Sequence, residues 1–325
     1  MQTFFQMTHV ALTGQLIFVA RKYTADFMLL LCALFWGGTF VAIDVLVPGI
    51  APYRLVAPRF GLAALGFAPY YMWRRWAEYK TAPPGVGKAS GGSRHGVFVG
   101  LVLGLVSFAG YGLQTEGLVY TSPARSAFIT QLLVLFTFPM QIFILRRRVI
   151  GSAYAGLLLV LGGAYFLLGS PAGGNWNIGD FLTVGCAYSF ALLIVMLDVF
   201  SRHYNALDLT FFQILATSVA AGAASFLGMD KDYGRAGWPD WNWLQWLGLL
   251  YLAIPATIGT VVLQVRYQRE TSPARASLLY AMEPVFAGVF AFLILGEFLG
   301  WTESLGAALI VCGVIVSEVF STKKK

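Results

Sequence analysis

Thr121-Ser122-Pro123-Ala124-Arg125 returns 150 residues later as Thr271-Ser272-Pro273-Ala274-Arg275. The same offset of 150 pairs Leu113-Gln114 with Leu263-Gln264, Ser107 with Thr257, Gly156 with Gly306 and Gly163 with Gly313. A second register opens each half. Asp26-Phe27 and Cys32-Ala33 match Asp180-Phe181 and Cys186-Ala187 at an offset of 154, which also pairs Asp44 with Asp198. The chain therefore reads as one unit written twice.

The solvent of that unit follows from composition. Of 325 residues, 58% are hydrophobic and 11% charged, against about a quarter charged in a soluble domain. The charges cluster between apolar runs of about 20 residues, the length needed to cross roughly 30 Å of hydrocarbon as helix. Continuous apolarity argues against a barrel, whose strands alternate. Spans are expected near 27–47, 51–73, 96–118, 123–145, 150–169, 178–199, 208–229, 243–266, 273–295 and 301–320. The predicted fold is an all-α integral membrane protein of ten transmembrane helices in two five-helix repeats. The divisions are an N-terminal extension (1–25), a first repeat (26–170), a second repeat (171–320) and a basic tail (321–325). Residues 1–20 carry Gln2, Gln6, His9 and Gln15 among their apolar residues and read as an interfacial or disordered extension. An odd number of spans per copy makes the second copy enter from the opposite face, so the repeat is expected to be inverted, an arrangement common among secondary transporters.

Orientation follows from basic residues. Arg21, Lys22, Arg74, Arg75, Lys80, Lys88, Arg94, Arg146 to Arg148, Arg202, Arg266, Arg269 and Lys323 to Lys325 fall on one side. Arg54, Arg125, Lys231 and Arg235 fall on the other. Both termini are therefore expected in the cytoplasm, with the chain in a cell's inner membrane. The longer loops are 74–95, rich in Gly and Pro, and 230–242, acidic and aromatic.

Several chemistries find no support. The net charge of +7 lies in inter-span loops, so nucleic acid is not an expected partner. Cys32, Cys186 and Cys312 each sit in an apolar run without metal spacing, and read as packing residues. His9, His95 and His203 lie outside the spans. No GxxxxGK[ST] loop is present for ATP-driven transport. No cofactor is expected.

The motifs also resemble a known family. Ala33-Leu34-Phe35-Trp36-Gly37-Gly38-Thr39-Phe40 resembles the opening helix of EamA-type transporters of the drug/metabolite transporter superfamily, and Arg59 fits the second helix. Residues 121–139 resemble the family's helix 3–4 junction. Ala281-Met282-Glu283-Pro284, Leu295-Gly296-Glu297, Gly306 and Gly313 resemble its C-terminal signature. The resemblance, over about residues 26–320, implies a central cavity lined mainly by helices 1, 3, 4, 6, 8 and 9, with helices 5 and 10 peripheral. It implies small metabolites, amino acids among them, or drugs as substrates, and export as the direction.

Candidate site residues come from the spans. Gly100, Gly104, Ser107, Tyr111 and Gln114 recur every three or four residues, one face of helix 3, with Thr257 and Gln264 as mates. Small and polar residues there serve close helix packing or a cavity wall. Trp36, Tyr188 and Tyr280 offer apolar faces with polar tips. Glu283 lies ten residues beyond Pro273, roughly 15 Å along a helix and thus near the midplane, where a carboxylate is usually functional. It is a candidate proton carrier or a structural carboxylate beside Pro284, and Leu133 stands at its paired position. The expected substrate-binding set is Trp36, Tyr111, Gln114, Tyr188, Gln264, Tyr280 and Glu283. Ser122 and Ser272 should cap helices that begin with proline. Arg125 and Arg275, at positive helix ends, call for a carboxylate, phosphate or substrate partner, or reach the headgroups, the favoured reading. Glu116 is a candidate partner for Arg125, and Asp44 reads as solvated.

The expected function is secondary transport of a small organic solute by alternating access, with the proton as candidate coupling ion. A membrane enzyme acting on a lipid-linked substrate is the alternative. It would need His, Asp or Ser converging at one face, which the sequence does not display.

Overall fold

The computed structural model describes residues 23–39, 42–43, 46, 50–81, 94–121, 123–168, 176–230, 241–296, 298, 300 and 301–321. The expectations for residues 1–20, Asp44, Ser122, the Arg125 side chain, Glu297 and the basic tail lie outside them. The described chain is helical: α1 (Tyr23–Thr39), α2 (Pro52–Thr81), α3 (Arg94–Tyr120), α4 (Pro123–Thr130 and Leu132–Phe143), α5 (Gly151–Leu168) and α6 (Ile178–Phe200). Then follow α7 (Ala206–Phe226), α8 (Trp243–Glu270), α9 (Pro273–Ile294) and α10 (Trp301–Ser321). Among them α3, α4, α6, α7, α8 and α9 contain stretches long and apolar enough to cross a membrane. The fold is thus an all-α, multi-pass membrane fold.

Helix starts follow local chemistry. Asn177 caps α6 by accepting from Asp180 N, while the Asp180 carboxylate accepts from Asn177 N. Ser272 caps α9 by accepting from Arg275 N, with Pro273 in the first turn. Helix α2 runs eight residues past the expected span, to Thr81. Its polar end is held by Arg75 bonding Glu78 one turn on, by Lys80 over the Trp76 ring and by Tyr71 donating to Asp208 of α7. Arg275 does not reach for headgroups as favoured above; its guanidinium pairs with Asp26 at the start of α1. A carboxylate one helix away satisfies the charge that the positive helix end disfavours.

Three helices break where a regular ladder does not continue. Pro255, which has no N–H, opens α8 into a wider turn over Ile254–Gly259, and Thr257 Oγ1 donates to Leu252 O at 2.7 Å. Helix α9 breaks at Ala281–Met282 before Glu283-Pro284, and α4 breaks 150 residues earlier, at Gln131.

Helices α5 and α10 cross at glycines. A Cβ on Gly156 would sit 2.7 Å from Gly313 O, and one on Gly163 would sit 2.6 Å from Gly306 O. Small residues let the backbones meet this closely, so dispersion holds the pair where no hydrophobic drive exists in lipid. The pairing runs antiparallel, 156 with 313 and 163 with 306.

Gly306→Ala should therefore destabilise the protein by about 1–3 kcal/mol, the range for overpacking, because its Cβ would meet Leu167 N and Gly163 O, both backbone. Gly162→Ala, with nothing within 4 Å, is the control. Thermal unfolding in detergent should show a lower Tm for the first and no loss for the second. Equal Tm values for both would contradict the close crossing.

Candidate functional site

A central pocket lies between the halves. Its empty space is about 780 Å³, counting the part open to solvent. Its wall draws on α1 (Trp36, Thr39), on Ile43 beyond it, and on α3 (Ser107, Tyr111, Gln114), α4 (Thr130, Leu133) and α6 (Phe190, Leu193, Ile194). It also draws on α8 (Val261, Gln264) and α9 (Tyr280, Glu283), and on two helices not anticipated: α2, with Arg59 and Phe60, and α7, with Gln213. Among the described residues, helices α5 and α10 contribute none to the lining.

Six of the seven expected residues meet here: Trp36, Tyr111, Gln114, Gln264, Tyr280 and Glu283. Tyr188 does not. It is 51% exposed on the outer face of α6, edge-on to Phe136 at 5.9 Å. The α6 aromatic in the wall is Phe190, two residues on and therefore on another face of the helix. The α3 stripe divides: Gly100 and Gly104 lie against α7, at Phe212 and Gln213, while Ser107, Tyr111 and Gln114 reach the pocket.

The wall is written in mates. Trp36 and Phe190, Thr39 and Leu193, and Arg59 and Gln213 stand 154 residues apart; Tyr111 and Val261, Gln114 and Gln264, Thr130 and Tyr280, and Leu133 and Glu283 stand 150 apart. Bonds repeat with them. Gln213 Nε2 donates to Ser107 Oγ at 3.0 Å, and Arg59 Nε donates to Thr257 Oγ1 at 3.0 Å. Gln114 Nε2 donates to Thr130 Oγ1.

Sequence reasoning placed Arg59 in a motif and gave it no role. It is 6% exposed, donates from Nη2 to Ala256 O at 3.2 Å, and lies 4.9 Å from the Tyr111 ring centre and 5.3 Å from that of Phe60. Trp36 packs edge-on against Tyr280 at 5.1 Å. The Trp36 indole N–H and Gln213 Oε1 have no hydrogen-bond partner among the described residues. The pocket thus offers aromatic faces, unused polar atoms, one guanidinium and one carboxylate. Among the described residues no group of three or more His, Cys, Asp or Glu could hold a metal.

Toward the arginine-rich end, Tyr280 donates to Gln268, and Gln268 donates to Ile194 O. Beyond that layer, Asp198, fully buried, accepts from Arg147 of the α4 end and from Arg202, which also reaches Thr271 O.

The model of the EamA-like transporter family matches residues 23–169 and again 177–318. The chain belongs to that family. It is 31% identical over 299 residues to an "Uncharacterized transporter" of Archaeoglobus fulgidus, covering 92% of this chain and 86% of that one. It is 23% identical to "Uncharacterized transporter YoaV" of Bacillus subtilis, over 90% and 96% of the two chains. A crystal structure described only as that of a protein superimposes with a TM-score of 0.72 over 93% of this chain and 99% of that one, at 20% identity, a likeness of fold. The protein is accordingly a transporter of the small-molecule type and not an enzyme.

In a background lacking Cys32, Cys186 and Cys312, Gln114→Cys and Gln264→Cys should react with a charged, water-soluble thiol reagent in reconstituted membranes. Tyr188→Cys, facing outward, should not. Labelling of the Tyr188 variant at the rate of the other two would contradict the placement of the pocket.

Proposed function

We propose that this protein exports a small organic metabolite by alternating access between two inverted five-helix repeats, α1–α5 and α6–α10, with both termini in the cytoplasm. The observation that carries the reading is the mated wall. Seven pairs of equivalent positions surround one pocket, as a site lying on a two-fold axis requires. The antiparallel crossing of α5 and α10, with each glycine meeting the mate of the other, fits an axis perpendicular to the helices and hence in the membrane plane. Two such halves exchange conformations at little cost in energy, which moves the opening from one face to the other around a fixed site. The Tyr280–Gln268 and Asp198–Arg147–Arg202 layers stand between the pocket and the arginine-rich end. That end is the cytoplasmic one in this reading, and those layers must part for solute to enter.

Glu283 is the proposed proton carrier. It lines the pocket, and the position equivalent to it in the first half is Leu133. One carboxylate in the path loads a proton on one side and releases it on the other when its occupancy is tied to solute. The test is uptake in proteoliposomes with a metabolite panel, with and without a pH gradient. Wild-type protein should respond to the gradient, and Glu283→Gln, of the same shape, should transport without responding. A variant that keeps the gradient dependence, or a wild type that moves no protons, would contradict the coupling.

A further inference from the structure

Of the seven mated pairs in the wall, two differ in charge: Arg59 against Gln213, and Glu283 against Leu133. Gln213 shows what the Arg59 position must do for the fold. Its amide holds Ser107 Oγ at the same 3.0 Å at which Arg59 Nε holds Thr257 Oγ1. Bridging to the neighbouring helix therefore needs an N–H and no charge. The guanidinium adds that charge in a buried place, where an isolated ion is costly. Every hydrogen bond that Arg59 makes to the described residues leaves from Nε or Nη2, and Nη1 makes none. No carboxylate of the described residues lies within the 4.0 Å of an ion pair. Glu283 lines the same pocket.

We propose that Arg59 anchors a carboxylate of the transported solute, making this a carrier of organic monocarboxylates, with or without an amine. A planar fork of N–H donors matches a carboxylate's two oxygens. One guanidinium balances one negative charge. With Glu283 holding its proton, Arg59 and one carboxylate leave the pocket neutral, whereas a phosphate dianion would leave an excess of negative charge there, which burial disfavours. Trp36, Tyr111, Phe190 and Tyr280 supply the faces against which the rest of the solute packs. The inference rests on the transport reading and adds the head group to it.

The test is proteoliposome uptake from an equimolar panel of carboxylic solutes and their neutral amides, matched in side chain and read by mass spectrometry. Wild-type protein should prefer acid over amide by about 100-fold, the loss expected when a buried charged donor is left unpaired. Arg59→Gln, which copies the mate Gln213, should fold and bring the ratio to about one; Arg59→Lys should fall between. If Arg59 is only a helix bridge, the variants will lower acid and amide alike and keep the ratio, which overturns the proposal. Wild-type uptake of amides as fast as acids overturns it too, while leaving transport intact. Uptake of no panel member by wild-type protein removes the transport reading and this proposal with it.

Discussion

Hydrocarbon offers a helix no water, so every backbone group freed by a break must be met from within the chain. The bond from Arg59 to α8 answers that constraint. Pro255 widens the turn, Thr257 Oγ1 caps Leu252 O, and Arg59 meets both the Thr257 hydroxyl and Ala256 O. One side chain of α2 thereby supports the irregular turn of α8 and brings a charge to the pocket. The α9 break falls beside the same pocket, between Tyr280 and Glu283. Irregular backbone at membrane depth stands where it faces protein or a cavity, and here it marks the site.

Duplication explains why the pocket is central. Equivalent side chains from two copies converge, and the equivalent bonds of Ser107 with Gln213 and of Thr257 with Arg59 brace opposite walls. Perfect repetition would leave the pocket without direction. Arg59 and Glu283 break the equivalence, so a bound solute meets distinct ends. The layers toward the arginine-rich end are of another kind: Asp198 is buried with two arginines that are themselves partly exposed. Water screens the outer partners, so parting them costs less than separating a fully buried pair.

Much of this was legible beforehand because membrane helices announce themselves by length and polarity and because the repeat is written in plain residues. Thr121–Arg125 against Thr271–Arg275 displayed the repeat, and Gln114 and Gln264 stood among the expected site residues. The misses have physical causes. Helix α2 outran its apolar stretch because Arg75, Lys80 and Tyr71 stabilise a polar extension through contacts that hydropathy does not weigh. Tyr188 was chosen for its chemistry, yet the offset of 154 from Trp36 leads to Phe190. The same offset leads from Arg59 to Gln213, a signal present in the sequence that would have revealed both residues. The Asp26–Arg275 pair joins α1 to α9, 249 residues apart in the chain, and had no local trace.

Alternating access, as proposed, has the two halves trade conformations around the mated pocket. Distances between spin labels test it most directly. One pair would sit at Arg148 and Arg266, exposed at the arginine-rich end, and the other at Tyr120 and Trp243, exposed at the opposite end. Across a pH series in reconstituted membranes, the account predicts two populations in which one distance lengthens as the other shortens. Distances that stay single and fixed at both ends, in membranes shown to transport, would contradict it.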